Sequence, residues 1–172
     1  MEHRKIIRSA FMIGGFTSVS RLLGLVRDFL TAGFFGTSLA MSAFVVAFRI
    51  PNLFRALFGE GALSSAFIPV FMESRQKEGD EQAWTLARKV ISLVAVVLFL
   101  VVALGVAGIT IAMHRPGLGE RTATILPLMR IMLPYMMFIC LAALSMAILN
   151  SYNRFALPAS TPSLLNLTWI LF

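Results

Sequence analysis

The chain has 172 residues, of which 58% are hydrophobic and 13% are charged, and its mean hydropathy is +0.84. A soluble domain carries charge on about a quarter of its residues, so this composition excludes a single globular domain in water. The net charge of +7 is divided between apolar segments and the loops that join them, which argues against a nucleic-acid-binding surface. The sequence therefore predicts a membrane protein.

Five segments of low charge are predicted to cross the membrane, because a spanning helix needs about 20 mostly apolar residues. They are residues 9–31, 37–72, 88–113, 124–150 and 155–172. The predicted fold class is all-α, a polytopic bundle of transmembrane helices. Pro51 is predicted to interrupt the second span, which membrane helices tolerate when neighbours satisfy the freed backbone groups. Residues 73–89 are predicted to form a solvated connector, with a short amphipathic helix as the alternative.

The basic residues predict the orientation of the chain, since cytoplasmic loops carry an excess of lysine and arginine. Eight lie on the side of the N-terminus and two on the opposite side. The eight are Arg4, Lys5, Arg8, Arg75, Lys77, Arg88, Lys89 and Arg154, and the two are Arg115 and Arg121. This bias predicts a cytoplasmic N-terminus. A cleaved signal peptide is the alternative for the first segment, but no small-residue cleavage site precedes Arg21.

The first two predicted spans contain arginines at depths that lipid disfavours, namely Arg21, Arg27, Arg49 and Arg55. An arginine at the centre of a spanning helix costs about 2.5–3.5 kcal/mol on an insertion scale. The acidic residues in these spans are Asp28 and Glu60, so four positive charges minus two negative charges leave a surplus of two. That surplus predicts a site for an anion, and the planar guanidinium group suits phosphate or carboxylate.

Helical spacing places the polar residues of these spans on two faces. Arg49, Asn52 and Arg55 recur every three residues, and Arg21 and Asp28 are seven residues apart, so each group shares one side of its helix. Both faces are predicted to line a hydrated cleft. The alternative is that the arginines only brace the bundle or pair with acidic residues from another segment.

The sequence predicts no enzyme activity, no metal site and no cofactor. It contains no phosphate-binding loop of the Gly-x-x-x-x-Gly-Lys kind. His3 and His114 are isolated from each other, which disfavours a metal site, and the single Cys140 excludes an internal disulfide. The spans offer no pairing of a nucleophile with a base.

Four segments carry a shared resemblance: SRLLGLVRD at residues 20–28, AFRIPNLFR at 47–55, FGEGALSSAFIPVF at 58–71 and LNSYNRF at 149–155, with Pro158 and Pro162 after the last. Together they resemble the motifs of the MurJ/MviN family of lipid II flippases, over nearly the whole chain. Ser42 departs from the pattern, since the family often has an acidic residue there. That departure makes the implied site more basic.

The resemblance implies the N-terminal part of a two-lobe transporter of the multidrug/oligosaccharidyl-lipid/polysaccharide exporter superfamily. It implies transport of lipid II across the bacterial inner membrane for cell-wall biogenesis, by alternating access through a cationic cavity. The implied substrate-binding residues are Arg21, Arg27, Asp28 and Arg55, and the implied secondary cavity residues are Arg49, Asn52 and Glu60. The implied partners are lipid II, membrane lipids and a C-terminal lobe absent from this chain, with no nucleic acid.

The predicted spans are too few for such a transporter. The chain is therefore expected to be a fragment, a natural truncation or one piece of a split protein. Two other functions remain open. One is a related exporter of drugs or other lipid-linked glycans, and the other is a non-transporting membrane interaction subunit.

Overall fold

The computed structural model describes the backbone of residues 2–60, 62–152 and 154–171, and side chains in these ranges except residues 2–10, 12–13, 59–60 and 62. The described chain is helical throughout apart from short turns, and it contains no strand, which confirms the predicted all-α class. The helices are α1 (Glu2–Phe35), α2 (Leu39–Arg55), α3 (Ala62–Glu78), α4 (Asp80–Met113), α5 (Glu120–Ser151) and α6 (Ala156–Leu171), with a π-helical turn at Ala56–Glu60.

Three helical segments among the described residues are long and apolar enough to cross a membrane: Leu39–Glu78, Asp80–Met113 and Glu120–Ser151. They overlap the second, third and fourth predicted spans and extend beyond them at several ends. Helix α1 covers the first predicted span but also carries its charged residues, and α6, with 16 residues, lies over the fifth. The chain is a multi-pass membrane protein.

Residues 73–89, predicted as a solvated connector with an amphipathic helix as the alternative, are mostly exposed but helical almost throughout, so the structure favours the alternative. Helix α3 runs to Glu78 and α4 begins at Asp80, so only Gly79 separates them. Gly79 has a φ of +91°, a conformation that costs little only for glycine. Across this corner the Arg75 Nε donates to Asp80 Oδ1 at 2.6 Å. Such charge pairs, with acidic residues in the first turn of α4, support helix where polarity alone suggested a loop.

The chain divides into two compact units, which are described separately. The first contains Met1–Thr37 and Leu149–Phe172, and it is built by α1 against α6. The second contains Ser38–Ile148, and it holds α2 to α5 with the π-helical turn.

The second unit has a core of buried stripes, one on each of its longer helices. Residues that recur at intervals of three, four or seven lie on one side of a helix, which is the pattern of a packed face. The stripes comprise Ala43, Ala47 and Pro51 on α2, Ala83, Ala87, Val94, Leu98 and Val102 on α4, and Leu133, Met136, Cys140, Leu144 and Ile148 on α5. The small residues on α2 and at the start of α4 let neighbouring helices approach closely.

Aromatic side chains link the helices of this unit. Phe71, fully buried on α3, meets the ring of Trp84 on α4 edge-on, with centroids 6.5 Å apart. On the other side, Phe48 of α2 stacks with Tyr135 of α5 at 6.3 Å. Offset and edge-on ring pairs of this kind contribute about 0.5–1.5 kcal/mol beyond area burial, so both contacts fix the position of α2–α3 within the unit.

The predicted interruption at Pro51 occurs later in the chain than expected. Pro51 lies inside α2 and is buried, and the helix continues past it to Arg55 before the π-helical turn begins at Ala56. Within this turn, the carbonyl of Phe58 accepts a hydrogen bond from Ser64 Oγ at 2.9 Å. The break therefore follows Arg55 directly.

A close approach between α4 and α5 gives a testable prediction. A Cβ added at Gly105 would lie 2.8 Å from Leu133 Cδ1, whereas one at Gly108 meets nothing within 4 Å. Gly105→Val should therefore destabilise the detergent-solubilised chain by about 1–3 kcal/mol through overpacking, and Gly108→Val should cost less. The measurement is the free energy of unfolding in an SDS titration. Equal costs for the two variants would contradict the packing described here.

Candidate functional site

One face of α1 is turned towards α6 in the first unit. Phe16, Ser20 and Arg27 on this face all bond to α6 through backbone or side-chain atoms. Their spacings of four and seven residues place them in one row along the helix. The arginine at position 27 therefore lies at the contact between the two helices.

Asn166 provides the central contact of α6 with α1. Its side chain is buried, with 7% of its surface exposed. Its Nδ2 donates to the backbone carbonyl of Ser20 at 3.0 Å, and its Oδ1 accepts from Arg27 Nη1 at 3.0 Å. The sequence analysis missed this residue. The available signal was an amide inside an otherwise apolar predicted span, since a polar group in hydrocarbon is costly unless a partner binds it.

Arg27 also pairs with the residue that follows it. Its Nε and Nη2 donate to Asp28 Oδ1 at 3.0 and 2.8 Å. The side chain of Arg27 is 32% exposed and that of Asp28 is 68% exposed. A guanidinium group has five N–H donors. The two hydrogen bonds to Asp28 and the one to Asn166 use three of them. Two donors therefore have no partner among the described residues.

A cavity of about 970 Å³ opens beside this arginine. Arg27, Thr31 and Thr168 contribute polar groups to its lining, while Phe34, Phe35 and Trp169 contribute aromatic walls. A cavity with one cationic group and mostly apolar walls suits an amphiphile that has an anionic head. The predicted face shared by Arg21 and Asp28 is less enclosed, since both side chains are exposed in this unit.

In the second unit the structure brings together Asn52 and Arg55. Arg55 Nε donates to Asn52 Oδ1 at 3.2 Å, as their spacing of three residues on one helical face allows. Arg55 is half-buried. Arg49, on the same predicted face, is exposed and has no hydrogen bond or ion pair with the described residues.

The remaining candidate is Glu60, which ends the π-helical turn. Its side chain lies outside the described part of the structure. The described side chains therefore give two local groups, Arg27 with Asp28 and Arg55 with Asn52. Arg27 pairs with an acidic residue, Asp28, and Arg55 donates to the uncharged side chain of Asn52. The described residues contain no cluster of His, Cys, Asp or Glu suited to a metal ion.

Comparisons with known proteins identify the family. The family model described as Lipid II flippase MurJ matches residues 31–172 of this chain. The chain belongs to the MurJ family. The family model begins to match after Arg21, Arg27 and Asp28. The alignment that includes the N-terminal part of the chain is therefore the one with individual MurJ proteins.

Several curated MurJ proteins align with nearly the whole chain. The probable lipid II flippase MurJ of Buchnera aphidicola subsp. Schizaphis graminum is 37% identical over 97% of this chain and 34% of its own length. The lipid II flippase MurJ of Burkholderia cenocepacia is 38% identical over 96% and 33%. The corresponding values for the Thermosipho africanus protein are 36%, 96% and 35%. The chain spans about a third of the length of these relatives.

The bonds at Asn166 predict how the first unit responds to substitution. Asn166→Leu removes two hydrogen bonds, one of them to a charged group, and should destabilise the chain by about 1–3 kcal/mol. Ser163→Ala removes a single longer bond, 3.3 Å from Ser163 Oγ to the Phe16 carbonyl, and should cost about 0.6 kcal/mol or less. Unfolding in SDS measures both. A larger cost for Ser163→Ala would overturn this ranking.

Proposed function

We propose that this chain is the N-terminal part of a lipid II flippase of the bacterial inner membrane. Membership of the MurJ family supports the substrate class, and the names of the relatives supply the activity. The observation that carries the proposal is the placement of arginines in membrane helices with too few acidic partners. Because the chain spans about a third of its relatives, the transport activity belongs to a longer assembly that includes a second lobe.

The diphosphate of lipid II is the group that the arginines recognise in this proposal. Arg27 keeps two N–H donors beyond its contacts with described residues, and a guanidinium group can bind phosphate oxygens through two parallel hydrogen bonds. The mostly apolar walls of the cavity lower the local dielectric constant, which strengthens the attraction. The proposed substrate-binding residues are Arg21, Arg27 and Asp28 in the first unit and Arg55 in the second. The proposed secondary residues are Arg49, Asn52 and Glu60, all in the second unit.

Transport then follows alternating access between two lobes. The sugar and peptide portion of the substrate crosses through the hydrated cavity, while the polyprenyl tail remains in lipid. Binding of the diphosphate reduces repulsion among the arginines, and this reduction favours closure of the lobes around the head group. No covalent bond is made or broken, so the proposed activity is transport and not enzymatic catalysis.

The proposed topology has five spans with a cytoplasmic N-terminus. The corner at Gly79 then lies on the cytoplasmic side with its basic neighbours, and the turn at residues 114–119 between α4 and α5 lies outside. The excess of lysine and arginine near the first of these sites supports this orientation.

Cysteine labelling tests the orientation. In a Cys140→Ser background, Pro116→Cys should react with a membrane-impermeant maleimide in spheroplasts, because it lies in the external turn. Gln76→Cys should react only after the membrane is permeabilised. Both positions are exposed in the structure, so accessibility within the protein does not separate them. The opposite labelling pattern would contradict the proposed topology.

Growth complementation tests the transport proposal. A full-length family member that carries residues 1–172 as its N-terminal segment should sustain a strain depleted of its own flippase. Arg21→Ala and Arg55→Ala should each abolish growth, because each removes a charge that attracts the diphosphate. Arg115→Ala, in the exposed turn between α4 and α5, is the matched control and should grow normally. Normal growth with Arg21→Ala and Arg55→Ala proteins that are present in the membrane at normal amounts would contradict the proposal.

A further inference from the structure

Asn166 is the one buried polar side chain among the described residues. It lies within α6, whose other residues near it are mainly leucine, isoleucine and tryptophan. Packing alone does not call for an amide at this position, because an apolar side chain carries no cost of removing polar atoms from water. Its presence is explained by what its two polar atoms bind.

The two hydrogen bonds of Asn166 fix the orientation of its amide. Nδ2 points to the carbonyl of Ser20, which cannot donate, and Oδ1 points to the guanidinium of Arg27, which cannot accept. Rotation of the amide by half a turn would place oxygen against oxygen and N–H against N–H. The backbone of α1 thus anchors the amide, and the amide in turn holds the side chain of Arg27.

Gly24 leaves room for this arrangement. It lies on α1 between Ser20 and Arg27, and a Cβ added there would be 3.4 Å from Asn166 Nδ2. That distance is the near limit of ordinary contact, so side chains larger than alanine would displace the amide. The contact face of α1 is therefore shaped to admit Asn166 between the residue that anchors it and the residue that it holds.

Asp28 and Asn166 together restrain Arg27 from two directions. Nε and Nη2 are directed to Asp28, and Nη1 is directed to Asn166. The arginine so restrained lines the cavity with Thr31 and Thr168. A long side chain that is already fixed loses less conformational freedom when a ligand binds, and this preorganisation increases affinity.

We infer that Asn166 is a positioning residue for the proposed transport reaction: it holds the Arg27 guanidinium at the wall of the α1–α6 cavity, where the two remaining N–H donors bind the diphosphate of a prenyl-linked substrate. This inference rests on the proposed function. Asn166 itself does not touch the substrate, since both ends of its amide are occupied within the protein.

A binding experiment on the 172-residue chain in nanodiscs tests this role. The probe is farnesyl diphosphate, with farnesol as the uncharged control. Trp169 lines the cavity, so its fluorescence in a Trp84→Phe background reports occupancy near the site. Asn166→Leu should weaken farnesyl diphosphate binding about tenfold, which corresponds to the loss of one charge-assisted contact. Farnesol binding should not change. Asn166→Ala serves as a second variant if the leucine substitution prevents folding.

A double-mutant cycle separates positioning from simple stabilisation. If Asn166 acts through Arg27, then Asn166→Leu should cause no further loss of affinity once Arg27→Ala is present. Ser163→Ala is the control, because it loosens the same helix pair without touching Arg27. Two results would overturn the inference while the proposed function stands. One is an equal loss of affinity from Asn166→Leu in the unsubstituted chain and in the Arg27→Ala chain, and the other is unchanged affinity when Asn166→Leu is made in the unsubstituted chain. Failure of the unsubstituted chain to bind the probe saturably would count against both.

Discussion

The first unit depends on satisfying a guanidinium group inside a mainly apolar pair of helices. A charged group removed from water is tolerated only when partners replace its hydration. Arg27 obtains those partners from Asp28, next to it on α1, and from Asn166 on α6. Asn166 is itself satisfied by the carbonyl of Ser20. The polar contacts between α1 and α6 therefore centre on Arg27, a charged residue that is costly to remove from water.

In the second unit, Arg55 donates a hydrogen bond to Asn52 on its own helix. The helix changes to a π-helical turn directly after Arg55. Such turns shift the register of the residues that follow them. Arg55 therefore lies at the junction between a regular α-helix and a π-helical turn. Arg27 lies within a regular helix and is held by Asp28 and Asn166.

Local patterns in the sequence predicted the helices and the arginines, but they did not predict the contacts between distant segments. Runs of apolar residues and charge counts are local properties, and they overlap the three long apolar helical segments of the structure. The polarity of residues 73–89 favoured a connector over an amphipathic helix, although the charge pair across Gly79 supports helix there. Asn166 was missed because its partners lie about 140 residues away along the chain. Its significance appears only once α6 is placed against α1.

The unused hydrogen-bond donors of Arg27 connect stability with the proposed function. A second acidic partner would stabilise the guanidinium further, but it would also occupy those donors and cancel the charge that the proposed diphosphate ligand would need. A site that retains unsatisfied donors gives up some stability to keep affinity for its ligand. Arg27 uses three donors and leaves two, and its one acidic neighbour is mostly exposed. Asn166 contributes a neutral bond, so it restrains the arginine without reducing its charge. An amide is better suited to this task than a carboxylate, and that suitability accounts for asparagine at a buried position where packing alone would favour an apolar residue.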